Sequence, residues 1–381
     1  MQKILQQITF SKRLNLLFLS IFLFGAAISM NAVIFPTILN QNNVSAANIG
    51  IAFATDIFGG IIMSFFLHKL VKKIGMMKAL ALSSLGYAAA TSLIYFYQNF
   101  FLWLTFAFFM GNCFFVYSIT RQAWMNILLT SHRRAVALGI FSMIFSSGLA
   151  LGPVIVKFSG AENYLSFLIS SGITIISFLC LTSLKKSAYT KISEERIPLK
   201  EFFQKNPRCF LARFFLDFQS YLLLTFTVIF GKRIGLSYEQ SGLLITVFMA
   251  SAFFDVLIGF ALKKISAYKM INIGFLGCIY CLLSIILYHQ SYIILLITYF
   301  IFGIFIACIY VSVFKITNDD YEKHKLVAAN STFQLIGSSG SLCGSLIGGL
   351  LIDIFGIYGF PITLILSSVF YLTFLVTYEK K

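Results

Sequence analysis

The chain has 381 residues, of which 59% are hydrophobic and only 11% are charged. A soluble domain carries roughly 25% charged residues, so this composition excludes an ordinary water-soluble fold. A net charge of +16 would suggest nucleic acid as a partner of a soluble protein, but its distribution along the chain points to another cause.

Twelve apolar segments follow one another along the chain, and each is long enough to cross a bilayer as a helix. The first has 26 residues, more than the apolar region of a cleaved signal peptide, so we expect it to be retained. Very short turns between some segments predict tight helical hairpins. The predicted helices are residues 14–39, 46–67, 79–97, 100–124, 136–157, 164–184, 209–231, 239–262, 270–289, 291–314, 326–350 and 357–378.

Lysine and arginine residues are concentrated on one side of the predicted membrane. With both termini in the cytoplasm, 24 of the 29 Lys and Arg residues fall in cytoplasmic segments. Cytoplasmic loops of membrane proteins are enriched in these residues. The bias therefore predicts cytoplasmic termini, explains the net charge and argues against nucleic-acid binding.

The longest hydrophilic stretch, residues 185–208, divides the chain near its midpoint. It contains charges of both signs and two prolines, as a linker between bundles would. We therefore predict an N-terminal six-helix bundle at residues 1–184, a cytoplasmic linker, and a C-terminal six-helix bundle at residues 209–381.

An internal repeat supports this division. A basic motif after the second predicted helix recurs after the eighth, 191 residues later. Gly111 and Gly303 are 192 residues apart, as are Gly152 and Gly344. Parallel halves related by an axis along the membrane normal are found in secondary transporters. The basic motif residues are Lys72, Lys73, Gly75 and Lys78 in the first copy and Lys263 and Lys264 in the second.

The fifth predicted helix carries a glycine pattern that ends in a proline. Gly139 is followed after eight residues by Gly148, and after three more by Gly152 and Pro153. Glycines at such spacing let a neighbouring helix approach closely, and the proline permits a bend. On physical grounds alone, a tight structural contact between helices is an alternative to a role in gating.

With these motifs the chain resembles the major facilitator superfamily over essentially its full length. The fifth helix resembles the antiporter motif of that family, with Val156 in place of its last glycine. The basic motif resembles the family's cytoplasmic loop signature, although Lys72 stands at its aspartate position. The layout is also similar to small bacterial inner-membrane facilitators. The resemblance implies an all-α fold of two pseudo-symmetric six-helix bundles and secondary transport by alternating access.

Ionisable side chains within the predicted helices are candidates for function, because a charge at lipid depth costs about 2.5–3.5 kcal/mol on insertion scales. Asp56 lies near the midplane of the second helix and is our preferred proton site. Asp255 in the eighth helix and Asp217 in the seventh are further coupling candidates. A structural ion pair is the alternative for each, and Arg213 stands one turn before Asp217.

Polar residues on the helices expected to line a cavity are candidates for substrate contact. Arg121 in the fourth helix could bind an anionic group or pair with Asp56, or instead extend to the membrane interface. The uncharged candidates could equally form hydrogen bonds between helices. They are Asn31, Asn112, Tyr117, Gln219, Tyr221 and Tyr310.

The sequence thus predicts a secondary active transporter of a small organic solute, coupled to protons and acting as an exporter. We expect a monomer in a bacterial inner membrane, with no cofactor and no metal. A uniporter, or a proton-coupled importer of an anionic or zwitterionic metabolite, is the main alternative. A membrane enzyme or a non-transporting sensor is a distant one, because the four histidines are scattered at helix ends and in loops.

Overall fold

The computed structural model of the protein describes residues 12–96, 99–128, 134–182, 197–322 and 325–379. Nearly all of these residues are helical, and the described segments contain no strand. Two short 3-10 segments occur, at Ser251–Phe254 and Gly356–Tyr358. The α-helices are α1 (Lys12–Gln41), α2 (Ala46–Ile74), α3 (Met76–Phe96), α4 (Phe100–Leu128), α5 (Arg134–Ser159), α6 (Tyr164–Thr182), α7 (Leu199–Lys205), α8 (Pro207–Arg233), α9 (Tyr238–Ala250), α10 (Asp255–Ala261), α11 (Ala267–Tyr288), α12 (Tyr292–Asp320), α13 (Leu326–Phe355) and α14 (Gly359–Glu379).

Most of these helices have the length and the composition of membrane spans. Within the described residues, 10 stretches are long and apolar enough to cross a bilayer. One of them, Ala328–Thr377, contains most of α13 and most of α14, and α5 contributes a shorter apolar stretch at Met143–Ser159. The prediction of an all-α membrane fold with about twelve spanning helices is confirmed.

Polar caps fix where helices begin after the short turns. The Ser45 hydroxyl accepts a hydrogen bond from the backbone N–H of Asn48 at the start of α2. Before α9, Ser237 and Gln240 form a reciprocal capping box. These side chains satisfy N–H groups that the first turn of a helix leaves unpaired. The spans can therefore start within a few residues of the preceding helix.

The predicted eighth helix is interrupted, which corrects the expectation of one continuous helix at 239–262. A 3-10 segment, Ser251–Phe254, separates α9 from α10. The Ser251 hydroxyl donates a hydrogen bond to the carbonyl of Phe248 at 2.6 Å, a local bond that competes with the regular helical pattern. A 3-10 stretch inside a helix often marks a hinge, and this one lies in the middle of a span.

The basic motif lies at helix ends rather than in an extended loop. Lys72 and Lys73 belong to the last turn of α2, where positive charge interacts favourably with the helix dipole. Gly75 ends the helix with φ of 85°, a conformation that glycine adopts at little cost. Lys78 already belongs to α3. In the second copy of the basic motif, Lys263 and Lys264 follow the end of α10.

The predicted linker, residues 185–208, lies partly outside the described residues. Its second part forms the short helix α7, which the sequence did not predict. At its end the Asn206 amide donates a hydrogen bond to the carboxylate of Asp320 at 2.9 Å. This end of the linker is therefore anchored to α12, and the exact limits of the two bundles stay a prediction.

The two halves repeat the same packing contacts at an offset of 192 residues. Gly152 of α5 packs against the Ala26 carbonyl of α1, and Gly344 of α13 packs against the Phe218 carbonyl of α8. In each pair an added methyl group would lie 2.5 Å from the carbonyl oxygen, so glycine is required for the close approach. The repeat seen in the sequence is a repeat of helix contacts in two six-helix bundles.

Two helix pairs related by the same offset make the main contacts between the halves. Helix α2 contacts α13, and α5 contacts α9. Gly50 of α2 lies against Ser345 of α13, while Gly242 of α9 lies against Pro153 of α5. The two glycines are 192 residues apart, and so are Pro153 and Ser345. A pseudo-twofold axis therefore runs between the halves.

Because the number of spans is even, the start of α1 and the end of α14 lie at the same face of the membrane. We call this face the terminal face and the opposite one the distal face. Among the described residues, four hydrogen bonds join the halves, and three of them lie at distal helix ends. The Asn40 amide donates to the Tyr238 hydroxyl at 3.1 Å. The backbone N–H groups of Ala46 and Ala47 donate to the Asp353 carboxylate at 3.1 and 2.8 Å. These contacts hold the halves together at the distal face.

Candidate functional site

A cavity of about 100 Å³ lies between α1, α2, α3, α4 and α8. It extends from Asp56, ten residues into α2, toward the distal ends of α1 and α4. Its wall is mostly apolar and rich in aromatic rings. The lining residues are Ile28, Asn31, Ala32, Phe35, Leu39, Ala52, Phe53, Asp56, Tyr87, Ile94, Trp103, Ala107, Met110, Tyr221, Leu224 and Thr225.

Asp56 provides the fourth hydrogen bond between the halves. The Tyr221 hydroxyl of α8 donates to Asp56 Oδ2 at 3.0 Å. Gly111 lets α4 pack directly on this position, since an added methyl group would lie 1.7 Å from the Asp56 carbonyl oxygen and 3.0 Å from Oδ1. Among the described residues no cation lies within salt-bridge distance of this carboxyl group. Its main partner is a neutral hydroxyl from the other half.

Asn31 lines the cavity and at the same time ties three helices of the first half together. Its amide donates to the Tyr87 hydroxyl at 3.2 Å and to the Thr91 hydroxyl at 3.1 Å. Its side-chain carbonyl accepts a hydrogen bond from Ser170 at 2.9 Å. This network connects α1 with α3 and α6, and it fixes the position of Tyr87 beside Asp56.

Arg213 and Asp217 form the ion pair that their spacing predicts, away from the cavity. The Arg213 guanidinium lies 2.6 Å from the Asp217 carboxylate and stacks over the Phe333 ring at 4.3 Å. Tyr310 lies close by, with its ring 5.9 Å from the guanidinium and 41% of the residue exposed. Asp217 and Tyr310 therefore belong to one polar cluster of the second half, and their roles in transport stay predictions.

Asp255 is the first residue of α10, immediately after the 3-10 segment of the interrupted helix. A carboxylate is favoured at a helix N-terminus because it meets the positive end of the helix dipole. It is separate from the cavity at Asp56, and its role in coupling stays a prediction.

Arg121 and Tyr117 pack inside the first half and do not line the cavity. The Arg121 guanidinium lies over the Phe145 ring at 4.6 Å and is 5.5 Å from the Tyr117 ring. Tyr117 is fully buried, stacks on Phe24 and forms a hydrogen bond with Ser20 at 2.9 Å. The structure therefore does not bring the predicted cationic group to Asp56.

Asn112 and Gln219 also make internal hydrogen bonds rather than line the cavity. The Asn112 amide donates to the Phe108 carbonyl of its own helix at 2.7 Å. The Gln219 amide donates to Ser367 at 2.9 Å and to Ser368 at 2.7 Å. Of the polar residues predicted to contact substrate, Asn31 and Tyr221 are thus the two that line the cavity with Asp56.

The glycine pattern of α5 is a packing surface that faces both halves. Gly148 lies against the Phe22 carbonyl of α1, one turn from the Gly152 contact. Pro153 lies against Gly242 of α9 in the other half. Gly139 belongs to α5, in a part whose side-chain surroundings lie outside the described residues. The pattern therefore connects α1 packing to the interface between the halves.

Two lining residues were not predicted from the sequence and carry buried polar atoms. The indole Nε1 of Trp103 and the hydroxyl of Thr225 have no hydrogen-bond partner among the described residues. Trp103 is 2% exposed and Thr225 is fully buried. The rarity of tryptophan could have drawn attention to Trp103, because the sequence contains only two tryptophans. Nothing in the sequence distinguished Thr225 from other threonines in apolar helices.

The sequence matches the family profile described as Major Facilitator Superfamily, over residues 17–214 and again over 209–380. The chain belongs to the Major Facilitator Superfamily. It is therefore a membrane transporter and not an enzyme, as the sequence predicted. The two successive matches fit the repeated halves of the fold.

Individual relatives agree with this membership. The transporter is 23% identical over 359 residues to YfkF of Bacillus subtilis, an uncharacterised transporter of the superfamily, covering 91% of this chain and 89% of the relative. A point mutant of the nucleoside transporter NupG superposes with a TM-score of 0.80 at 12% identity, over 97% of this chain and 99% of the other. A bacterial homologue of the lysosomal transporter Spinster, inward-facing and occupied, gives 0.74 at 16% identity over 94% of both chains. At these identities the solved structures show a common fold.

Proposed function

We propose that this transporter couples export of a small organic solute to protons, with Asp56 as the proton site. The observation that carries the proposal is the hydrogen bond from Tyr221 to Asp56, which joins the two halves inside an apolar cavity. A titratable group at the junction of two moving halves can bias which conformation the protein adopts. Asp255 and Asp217 lie away from this junction and are second candidates.

An ionised Asp56 opposes the movement that alternating access requires. When the halves close over the cavity at both faces, the carboxylate loses contact with water and has no cation beside it among the described residues. A charge at this depth costs about 2.5–3.5 kcal/mol. The closed intermediate is therefore favoured when Asp56 is neutralised, and a proton does this.

The hydrogen bond sets the sign of the coupling. A hydrogen bond that a hydroxyl donates to a carboxylate is roughly twice as strong as one that it donates to a neutral carboxylic acid. The bond occurs here together with distal closure, so ionisation of Asp56 stabilises the distal-closed conformation. Protonation weakens that bond and favours opening at the distal face.

We place the terminal face in the cytoplasm of a bacterial inner membrane, as the Lys and Arg distribution favours. Distal closure then corresponds to a conformation that is closed to the outside, and the Spinster homologue is described in an inward-facing conformation. Protons would load on Asp56 from outside and leave it inside. Energy for export comes from this inward movement, with the protein working as a monomer.

A spectroscopic distance measurement tests the coupling without a known cargo. Glu162 and Gln290 are exposed in distal turns of different halves, so spin labels on Glu162→Cys and Gln290→Cys report distal opening. The native cysteines are replaced in this background. Acidification is expected to increase the population with a long label separation, and Asp56→Asn is expected to abolish this pH dependence.

Asp319→Asn is the matched control, because this carboxylate pairs with Lys315 in the same helix and is exposed. It should respond to pH as the parent protein does. A pH response that persists in Asp56→Asn would show that Asp56 is not the proton site. Loss of the response in Asp255→Asn or Asp217→Asn would transfer the role to one of those residues.

A further inference from the structure

The cavity at Asp56 also has the features of a binding site for cargo. Two of its lining residues, Trp103 and Thr225, present buried hydrogen-bonding atoms that have no partner among the described residues. Buried polar groups in proteins are almost always paired, whether with protein, with water or with a ligand. An indole N–H is a donor only, so Trp103 leaves an unsatisfied donor in the wall of the cavity.

The charge of the cavity selects against anions. Asp56 is its acidic residue, and the lining contains no lysine, arginine or histidine. Arg121, which the sequence suggested as a cationic partner of Asp56, packs elsewhere against the Phe145 ring. An anionic solute would face a like charge with no counter-charge, whereas a cation would pair with the carboxylate.

The shape and the walls limit the body of the solute. Phe35 lies edge-on to Trp103 with ring centroids 5.6 Å apart, and Phe53 lies beside Tyr221 at 6.4 Å. Such walls suit an apolar body and can also stabilise a cation over their faces. A volume of about 100 Å³ is smaller than that of the engineered cavity, about 150 Å³, that binds benzene. The cavity therefore limits the enclosed body of a solute to a group no larger than a single ring.

From these observations we propose that the cargo is a small amphipathic organic cation, whose protonated amine pairs with Asp56 and whose ring-sized body lies between Phe35 and Phe53. This inference rests on the proposed function, because the same carboxyl group serves both ions. Either a proton or the ammonium group neutralises Asp56 for the closed intermediate. Proton and cargo therefore exclude each other, and the transporter exchanges one for the other.

Three probes of nearly equal size distinguish the effect of charge on binding from the effect of shape. They are benzylammonium, benzyl alcohol and benzoate. Binding is measured at one fixed pH in lipid nanodiscs by the fluorescence of Trp103, with Trp124→Phe removing the other tryptophan. Benzylammonium is expected to bind at least about tenfold more tightly than the other two, as loss of a hydrogen bond to a charged group implies. Asp56→Asn is expected to remove this preference, and Asp319→Asn to leave it unchanged.

Proton release provides a second measurement that needs no substitution at Asp56. When benzylammonium binds the parent protein at a pH where Asp56 is partly protonated, protons should appear in a weakly buffered solution. Equal or tighter binding of benzoate, binding of none of the three probes, or cation binding without proton release would overturn the proposal. The label distances test proton coupling without any cargo, so failure of one proposal is distinguishable from failure of the other.

Discussion

Asp56 and Tyr221 form a hydrogen bond between two helices that belong to different halves, so a single hydroxyl group links them. Tyr221→Phe keeps the ring and removes this donor. A carboxylate that loses one such bond loses about 1–3 kcal/mol of stabilisation, and the bond occurs together with distal closure. We expect a clear increase in the long label separation between positions 162 and 290 at neutral pH. Tyr280→Phe is the control, because that residue is 74% exposed.

If Tyr221→Phe gives the same distance distribution and pH response as the parent protein, the hydroxyl does not link the halves. The measurement then favours a purely structural role for Tyr221 in the cavity wall.

Gly111 is the residue that allows the backbone of α4 to reach Asp56. An added methyl group would lie 1.7 Å from the Asp56 carbonyl oxygen, so Gly111→Ala must push α2 and α4 apart. Overpacking of this kind typically costs about 1–3 kcal/mol. A lower melting temperature in detergent and loss of benzylammonium binding are expected.

Gly172→Ala is a control of identical chemistry, because an added methyl group there has no atom within 4 Å. Alanine is favoured over glycine in a helix by about 0.8–1.0 kcal/mol, so this variant should melt at the same or a higher temperature. Equal melting of the two variants would mean that α4 can move without disturbing α2.

At the scale of helices, the N-terminus of α2 is capped by a carboxylate from the other half. Asp353, near the end of α13, accepts hydrogen bonds from Ala46 N and Ala47 N, and Arg233 of α8 contacts it at 3.4 Å. The cap therefore forms only when the distal ends of the halves meet. An acidic group at a helix N-terminus contributes about 0.3–1 kcal/mol.

Asp353→Asn is therefore expected to shift the equilibrium toward distal opening by a few-fold. The label separation between positions 162 and 290 measures the shift. In this variant the equilibrium between distal-closed and distal-open conformations should also depend less on salt concentration. Asp319→Asn, which removes a carboxylate paired within one helix, serves as control. An unchanged distance distribution would show that this cap is not needed for distal closure.

Helix positions were largely predictable, because membrane spans must satisfy their own backbone hydrogen bonds and are apolar over their whole length. Hydropathy gave each span to within a few residues at most ends. It missed the interruption at Ser251–Phe254, since the cause is a local hydrogen bond to Phe248 rather than a change in composition. It also missed α7, which is too short and too polar to show in hydropathy.

The candidate site was predictable in part. Asp56 was found because a charge at lipid depth is costly, and Tyr221 and Asn31 because they are polar on helices expected to line a cavity. Trp103 and Thr225 could not be found in this way, since their importance depends on having no partner in the folded chain. Tyr117 and Gln219 have internal partners instead, and sequence does not reveal which face of a fully apolar helix is buried.

At the scale of the whole molecule, the pseudo-twofold axis gives each contact between the halves a counterpart. The pair α2–α13 and the pair α5–α9 meet through equivalent glycines, Gly50 and Gly242. The halves can therefore tilt against each other with both contacts retained or weakened together. The polar bonds are less symmetric, because Asp56 and Asp353 both act on α2. The polar bonds between the halves are therefore concentrated on one side of a nearly symmetric frame.

A disulfide between α1 and α9, which belong to different halves, tests whether the halves must separate distally. A methyl group built on Gly242 lies 3.3 Å from Val33 Cγ1 and 3.4 Å from Cγ2, so a cysteine sulfur that replaces either methyl group at position 33 would lie close to a cysteine at position 242. In a background without the seven native cysteines, Val33→Cys with Gly242→Cys should oxidise readily. Benzylammonium exchange across liposomes should then stop and return on reduction, while binding of the probe from the terminal face persists. Each single-cysteine variant should transport under oxidising conditions, and continued transport by the bonded protein would show that the halves need not separate distally.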